Sequence, residues 1–420
     1  MMKNNTNRVV ITGVGAISPL GNSASALWDS VIAGRCGIEH IRGFEDEALP
    51  VRVAGQVKDF DPKECGMTMA EIRHYDLFSQ YACAAANEAL GSSGLESGSN
   101  IDPLRFGVYI GSCIGGLTTF VNQTKVYLEG GAGSVSPLFA PMIISNIAGG
   151  NVAIKFKLQG PCISVTSACA TGTNAIGEAY LAIRDGRADA MLAGGSEAAL
   201  HPLALGGFAS CRALTPESDP MLASLPFDAR RRGFVMAEGA GVVILEEYGH
   251  AVSRRANIIA EVCGYGHTCD AYHYTAPRPD GTSTARAISD ALEEAGYSAK
   301  DNLYINAHGT GTVLNDKAET KAIKLAMGEK EAHRASISST KSMTGHMMGA
   351  AGAVECIISA FALKAGAVPP TINLLHPDPD CDLDYTPQKA VERNLSIAIS
   401  NSMGFGGHNA CVALRRYNDG

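Results

Sequence analysis

The chain has 420 residues, of which 46% are hydrophobic and 18% are charged, and its net charge is −8 at pH 7. This composition predicts a large buried core, and the acidic balance argues against general nucleic-acid binding. The twelve cysteines show no spacing typical of a metal site, so we expect free thiols, no metal and a reducing cytoplasm.

The first half of the chain alternates predicted strands and helices. Strands that end in glycines are predicted at residues 8–15, 105–111 and 189–197, and helices at residues 24–34, 75–90 and 141–148. The pair Gly13 and Gly15 after the first strand matches part of a dinucleotide-binding motif, but Ser18 stands in place of the third glycine. A nucleotide site is therefore not favoured.

One thiol lies at a predicted junction between a strand and a helix. Residues 163–166 are apolar or β-branched and predict a short buried strand, and the small residues 170–182 predict a helix. The unpaired N–H groups and the positive dipole end of that helix would favour a thiolate on Cys169, which makes it a candidate nucleophile. The alternative is a small buried hydrophobic residue, as most free cysteines are.

The second half of the chain repeats the pattern of the first. Strands are predicted at residues 258–266, 303–309, 336–341 and 396–407, and helices at residues 284–295 and after Gly345. These four strands match residues 9–15, 105–111, 163–172 and 189–195 in the same order. The repeat predicts a duplicated α/β fold with pseudo-symmetric halves, residues 1–255 and 256–420, that form one compact unit with a site between them.

The ends of the predicted strands supply a set of candidate site residues: Cys169, His308, Lys341, His346 and Phe405. Each histidine has an ordinary alternative, since His308 suits a core position bonded to backbone and His346 a helix surface. A lysine is seldom buried without a partner, and Glu355 lies in an Ala/Ile-rich helix that suits such a partner. Asp316, Glu319 and Glu355 have surface charges as their ordinary alternative.

Four motifs resemble those of a known family: TSACATG at residues 166–172, NAHGTGT at 306–312, TKSMTGH at 340–346 and NSMGFGG at 401–407. They resemble the condensing-enzyme branch of the thiolase superfamily, and specifically the β-ketoacyl-acyl carrier protein synthases of the elongating synthase II type. The resemblance extends from residue 9 to residue 409 and implies a thiolase-like α-β-α-β-α fold. The chain departs from the family pattern at Val313, Met403 and His408, near the expected acyl entrance.

The resemblance implies a decarboxylative Claisen condensation in fatty acid elongation. An acyl group held on Cys169 would react with malonyl-acyl carrier protein to give 3-oxoacyl-acyl carrier protein. The backbone N–H groups of Cys169 and Phe405 would form the oxyanion hole, and His308 and His346 would stabilise the enolate. Lys341 would hold the histidines in place. The alternative is a ketosynthase of a polyketide or other specialised acyl pathway.

The resemblance also implies roles for other residues. Glu355, Asp316 and Glu319 would support the catalytic set, and Phe405 would gate the acyl tunnel. The remaining assignments are phosphopantetheine binding by Thr275, Thr310 and Thr312, an acyl tunnel lined by Ile114 and Met403, and carrier docking by Arg73 and Arg212, with the arginines at 230–232 as further basic residues. We expect an acyl carrier protein as partner, a homodimer with residues 108–120 at the interface, and no cofactor.

Two other classes of protein remain as alternatives. A non-catalytic chain-length-factor-like subunit would lack the nucleophile, whereas Cys169, His308 and His346 are all present. A thiolase would use a second cysteine late in the chain, and Cys411 is late but lies in an apolar strand. No secretory signal and no apolar run of about 18 residues is expected, so no membrane association is predicted.

Overall fold

The computed structural model describes residues 6–43 and 49–418. The strands in these ranges are β1 (Val9–Ile17), β2 (Glu39–His40), β3 (Val53–Ala54), β4 (Phe106–Gly111), β5 (Ala190–Glu197), β6 (Gly239–Glu247), β7 (Ala260–Cys269), β8 (Leu303–Asn306), β9 (Ser336–Ser338), β10 (Ala367–Val368), β11 (Val391–Glu392), β12 (Ile397–Gly404) and β13 (His408–Arg416). The helices are α1 (Ala24–Ile32), α2 (Met69–His74), α3 (Leu77–Ser93), α4 (Leu117–Gly130), α5 (Phe139–Ile143), α6 (Ile147–Phe156), α7 (Thr171–Arg184), α8 (Pro202–Ser210), α9 (Pro220–Ala223), α10 (Tyr248–Ser253), α11 (Thr282–Glu294), α12 (Val313–Met327), α13 (Glu329–Ala332), α14 (Lys341–Thr344) and α15 (Ala351–Ala365).

The large sheet has the order β4-β5-β6-β1-β7-β13-β12-β8-β9. The same arrangement of strands occurs on either side of the antiparallel pair β1 and β7. On one side β4 runs parallel to β5, and β5 and β1 run antiparallel to β6. On the other side β8 runs parallel to β12, and β12 and β7 run antiparallel to β13. The predicted duplication is thus visible as a repeated strand order.

Helices divide the sheet into layers. Helix α3 packs on β1 and β6 outside the first half, and α11 packs on β7 and β13 outside the second half. Helices α7 and α15 contact strands of both halves and contact each other, so they form a central layer. This arrangement is the predicted α-β-α-β-α fold. The predicted boundary between residues 255 and 256 falls in the loop between α10 and β7 and stays a prediction.

The two Gly-x-Gly pairs pack helices against the sheet. A Cβ atom on Gly13 or Gly15 would overlap the carbonyl oxygens of Ala89 and Ala85 in α3. In the second half, a Cβ on Gly264 or Gly266 would overlap carbonyl oxygens of α11 in the same way. The glycines therefore permit a close approach of helix and strand, which accounts for the partial nucleotide-binding motif.

Two predicted elements differ from the structure. The segment 163–166 is not a buried strand, since only Cys162 bridges β4, at Val108, and Ile163 is 57% exposed. After this bridge the chain turns over β4, and the carbonyl of Val165 lies where a Cβ on Gly111 would be. The predicted helix at 141–148 is interrupted, because Ile144 is extended between α5 and α6.

The expectation that no apolar run is long enough to cross a membrane was wrong. The stretch Met348–Ala365 is long and apolar enough to cross a membrane by length and composition. It consists of a 3-10 turn followed by α15 in the central layer, and 83% of it is buried inside the protein. Its apolar character is that of a core helix packed on both halves of the sheet.

Candidate active site

Cys169 lies in a sharp turn that leads into α7. The turn is a short 3-10 helix, Ala168–Ala170, and Ala168 has a φ of 50°, which is uncommon for a residue other than glycine. The Thr171 hydroxyl accepts a hydrogen bond from the Ser167 backbone N–H at 2.9 Å, and Asn174 donates to the Ser167 hydroxyl at 2.6 Å. These bonds fix the turn and hold the thiol at the start of the helix, with only 7% of the residue exposed.

Burial raises the pKa of the Cys169 thiol to about 12. The Lys341 ammonium lowers this pKa, the Glu197 carboxylate raises it, and the backbone N–H groups of Phe405 and Cys169 lower it by facing the sulfur. The predicted effect of the helix start is therefore outweighed by the loss of water around the sulfur. The resting side chain is a protonated thiol.

The turn after β12 brings Phe405 to the thiol. A Cβ on Gly404 would lie 2.7 Å from the Ser167 carbonyl oxygen and 3.1 Å from the Cys169 nitrogen, so only glycine allows the two turns to touch. The Phe405 ring is partly buried and packs against Phe208, with ring centroids 6.1 Å apart. The Phe405 N–H and the Cys169 N–H thus lie on the same side of the cavity.

His308 and His346 lie together beside this turn. Both are almost fully buried, and their rings meet edge to face with centroids 5.3 Å apart. Burial and the nearby Lys341 ammonium hold the pKa of each imidazole well below 6.5, so both rings are neutral. The Met348 N–H donates to Nδ1 of His346 at 3.2 Å, which leaves the proton on Nε2. That nitrogen and Nδ1 of His308 have no hydrogen-bond partner within the described ranges.

The charged residues behind the histidines are buried as well. Lys341 forms an ion pair with Glu355. The Glu319 carboxylate accepts the backbone N–H groups of His308 and Gly309, each at 2.8 Å. Burial raises the pKa of Glu319 and of Glu355 to about 7.

Asp316 accepts the Gly311 N–H at 3.2 Å and the Phe227 N–H at 2.8 Å. Asp316, Glu319 and Glu355 are each 2% exposed or less, so the surface-charge alternative is wrong for all three. The surface alternative is also wrong for His346, which is 2% exposed.

A cavity of about 240 Å³ opens from the thiol to solvent. Most of the predicted site residues line it: Cys169, Arg212, Thr275, His308, Thr310, Thr312, His346, Met403 and Phe405. The hydroxyls of Thr310 and Thr312 lie 3.0 Å apart. Ile114 does not line the open cavity but packs with Cys169 and Phe208 in an apolar cluster.

Two predicted docking residues lie elsewhere. Arg73 is exposed in the last turn of α2 and does not line the cavity. Arg231 is buried and pairs with Asp378 at 2.8 Å, so it is no docking residue. Arg232 is exposed and lines the cavity.

The sequence analysis missed several residues of the site. Phe208 and Phe234 line the cavity, and the Phe234 ring lies 5.1 Å from that of His346. Glu197, at the end of β5, is fully buried near the turn that carries Cys169, which is called the nucleophile turn below. A carboxylate at the end of an apolar strand is a sequence signal that could have identified Glu197. A lysine at the end of a predicted strand identified Lys341 in the same way. Cys411 is buried in β13 and does not line the cavity.

The duplicated fold and the buried cysteine site define a thiolase-like acyl-transfer enzyme. Models of a β-ketoacyl synthase N-terminal domain and of a β-ketoacyl synthase C-terminal domain match residues 6–251 and 259–375. The chain belongs to the β-ketoacyl synthase family and is a condensing enzyme.

Relatives of known name cover nearly the whole chain. The 3-oxoacyl-[acyl-carrier-protein] synthase 2 of Staphylococcus aureus strain COL is 45% identical over 410 residues, 98% of either chain. The protein of the same name from Synechocystis is 45% identical over 411 residues, with the same coverage.

Solved structures agree with this. A β-ketoacyl synthase from Burkholderia phymatum has a TM-score of 0.90 and 35% identity, covering 98% of this chain and all of its own. A type II polyketide ketosynthase solved in complex with its acyl-carrier protein gives the same values.

Proposed function

We propose that this enzyme condenses an acyl group held on Cys169 with malonyl-acyl carrier protein in fatty acid elongation. The products are carbon dioxide and a 3-oxoacyl-acyl carrier protein two carbons longer. The observation that carries the proposal is the convergence of one thiol, two backbone N–H groups and two neutral imidazoles at the base of one cavity.

The first step moves the acyl group to the enzyme. The Cys169 sulfur attacks the carbonyl of an acyl thioester on the carrier's phosphopantetheine, and the thiol proton leaves with the departing phosphopantetheine thiol. The N–H groups of Cys169 and Phe405 stabilise the oxyanion of the tetrahedral intermediate, and one such donor is worth about 3 kcal/mol in comparable sites. Transient loss of the proton, rather than a standing thiolate, fits a buried thiol.

The second step makes the carbon–carbon bond. The malonyl group loses carbon dioxide, and the electron pair of the broken bond becomes an enolate. His308 and His346, both neutral, suit donation of ring N–H hydrogen bonds to the enolate oxygen. The enolate carbon then attacks the acyl carbonyl and releases the Cys169 sulfur as a thiolate, which takes a proton from water to restore the thiol. Side chains, backbone and substrates complete both steps, so we propose no cofactor.

The carrier would present its arm at the cavity mouth. Thr275, Thr310 and Thr312 line the cavity and offer hydroxyls to a phosphopantetheine chain. Arg212 and Arg232 are exposed there and suit an acidic carrier. The polyketide ketosynthase named above was solved with its acyl-carrier protein, which supports a carrier as partner. The polyketide alternative is less favoured, because the relatives named for 3-oxoacyl-carrier synthesis are more similar, at 45% against 35% identity.

We also propose a homodimer in the cytoplasm, where free thiols persist. Of the predicted interface residues 108–120, residues 108–111 are buried in β4 and Phe120 is exposed. Leu128, Ile144 and Ile163 are exposed as well, and the Ser164 hydroxyl donates to the Ser145 carbonyl at 3.3 Å, which joins the segments that carry Ile144 and Ile163. Light scattering should give twice the 43.8 kDa of one chain; a single-chain mass at micromolar concentration would contradict this.

The test of function is the variant Cys169→Ala. It should fold and bind malonyl-carrier but form no 3-oxoacyl product, because no sulfur can hold the acyl group. Cys211→Ala is the matched control, since Cys211 is an exposed thiol that lines the same cavity, and it should retain activity. Mass spectrometry of the carrier measures the product, and 3-oxoacyl-carrier formed by Cys169→Ala would overturn the proposal.

A further inference from the structure

Glu197 joins two segments of the site with hydrogen bonds. One carboxylate oxygen accepts the Ser112 hydroxyl at 2.8 Å and the Ile114 N–H at 3.2 Å. The other accepts the Cys113 N–H at 2.9 Å and the Gly349 N–H at 3.1 Å. The first three donors belong to the loop after β4, and the fourth belongs to the second half of the fold.

The Gly349 segment is the counterpart of the nucleophile turn. Met348–Ala350 is a 3-10 turn before α15, as Ala168–Ala170 is before α7. Met348 has a φ of 49° and Ala168 a φ of 50°. The two turns contact each other, and the Met348 N–H also fixes His346. Glu197 therefore links the loop that carries Ile114 to the segment that holds a catalytic histidine.

The carboxylate is buried without a cation. Glu197 is 0% exposed, and no ion pair joins it to any lysine, arginine or histidine in the described part of the chain. A buried carboxylate is costly unless it is fully hydrogen-bonded, and these four donors need an acceptor at both side-chain oxygens, which the amide nitrogen of a glutamine cannot be. Burial raises the pKa of Glu197, whereas the hydrogen bonds from Cys113, Ser112 and Gly349 lower it, so the donors around this carboxylate favour its charged form.

The charge acts on the nucleophile. Glu197 raises the pKa of Cys169, while Lys341 lowers it from the opposite side. The other titratable groups that face the thiol are Cys113, whose thiol is also turned to Glu197, and the neutral His308 and His346. Glu197 and Lys341 are thus the two buried charges of opposite sign that act on the sulfur.

We propose that Glu197 is a positioning residue that ties the Ile114 loop to the Gly349 turn and places a buried negative charge beside Cys169, which packs in one apolar cluster with Cys113, Ile114 and Met348. The proposal rests on the proposed function only in taking Cys169 as the nucleophile. Its consequence is a thiol that stays protonated, and therefore little reactive towards oxidants and alkylating agents, until an acyl thioester is bound.

The test is alkylation of Cys169 by iodoacetamide, followed on the Cys169 peptide by mass spectrometry. Thiolate is the reacting form, so the rate at a fixed pH below the pKa rises as the pKa falls. Glu197→Gln removes the charge and should accelerate alkylation about three- to tenfold, equivalent to about half to one pKa unit. Glu197→Asp keeps the charge but has a shorter side chain that meets the hydrogen-bond donors less well. It should therefore lower condensation activity without accelerating alkylation.

Glu88→Gln is the control for loss of a half-buried carboxylate that accepts backbone N–H groups. Glu88 accepts the Ala16 and Ala24 N–H groups and does not act on Cys169, so this variant should lose thermal stability without a change in alkylation. An unchanged rate in Glu197→Gln, or equal acceleration in Glu197→Asp, would overturn the proposal. Because alkylation needs no substrate, this result is distinguishable from a failure of the proposed reaction.

Ser112→Ala tests the same claim if Glu197→Gln does not fold. The Ser112 hydroxyl lowers the pKa of Glu197, so without it Glu197 keeps its proton to higher pH. Over a range of pH, the ratio of the Cys169 alkylation rate in Ser112→Ala to the wild-type rate should fall as pH rises and Glu197 ionises in both proteins. A constant ratio across this range would contradict the proposal.

Discussion

At the scale of single residues, one buried charge acts on three groups of the candidate site. Lys341 is 1% exposed and forms an ion pair with Glu355 inside the central part of the fold. Burial lowers the pKa of both histidines, and the Lys341 ammonium lowers it further and also lowers the pKa of the Cys169 thiol. One buried cation therefore acts on Cys169, His308 and His346, while the Glu355 carboxylate balances its charge.

Lys341→Met should leave Glu355 as an unpaired buried carboxylate. Breaking such a pair costs about 3–5 kcal/mol of unfolding free energy. Burial already raises the pKa of Glu355 to about 7, and loss of the ammonium raises it further. A carboxyl whose folded-state pKa is raised destabilises the fold increasingly as pH rises from its unfolded-state pKa to its folded-state pKa. The deficit of Lys341→Met relative to the wild-type protein should therefore shrink as pH falls from about 8 to about 7, the pKa of Glu355 in the wild-type protein.

Chemical denaturation at several pH values measures this effect. Lys317→Met is the control, because Lys317 pairs with Asp380 at the surface, and its denaturation midpoint should hardly change. A Lys341→Met variant whose deficit is independent of pH would show that Glu355 does not carry the unpaired charge.

The sequence predicted which residues meet at the candidate site but not their ionisation. Cys169, His308 and His346 line one cavity, as the motifs and the strand ends predicted. The raised pKa of Cys169 was not found, since it depends on burial by segments that are far apart in sequence. Glu197 was missed for the same reason, because its four donors come from residues 112–114 and from Gly349.

At the scale of elements, matched glycine pairs set the distance between helix and sheet. Gly13 and Gly15 of β1 face α3, and Gly264 and Gly266 of β7 face α11. These two strands are neighbours at the centre of the large sheet. Close packing there fixes both outer helices relative to the strands that lead to the site.

Gly15→Ala should destabilise the protein, because its Cβ would overlap the Ala85 carbonyl oxygen and α3 would have to move. Overpacking of this kind costs about 1–3 kcal/mol. Gly91→Ala is the control on the same helix. Nothing lies within 4 Å of a Cβ at Gly91, so alanine there should stabilise α3 by about 0.5–1 kcal/mol. Thermal unfolding of the two variants should shift in opposite directions; a stable Gly15→Ala would contradict the packing account.

The apolar strands that end in glycines were predicted from the sequence. The strands at 8–15, 105–111 and 189–197 correspond to β1, β4 and β5. Strand β6, Gly239–Glu247, was not identified, although it pairs with both β1 and β5. The segment 163–166 has the composition of a strand but leaves β4 after one bridge. Its conformation is set by the path of the chain over Gly111 and not by its β-strand propensity.

At the scale of the whole molecule, duplication gives two equivalent turns that have diverged. The first-half turn presents Cys169, and the second-half turn presents Gly349 and fixes His346. The nucleophile thus comes from one half and the imidazoles from the other, so the site forms only where the halves meet. Repeated motifs predicted this convergence, but the depth of the cavity followed only from the packed fold.

The central claim is that Cys169 carries the acyl group between two half-reactions. The most direct measurement is the mass of the Cys169 peptide after the purified enzyme is mixed with acyl-loaded carrier protein, and again after malonyl-loaded carrier is added. The account predicts that the peptide gains one acyl mass and then loses it as 3-oxoacyl-carrier appears. An acyl group on another cysteine, or product formed while the Cys169 peptide stays unmodified, would contradict it.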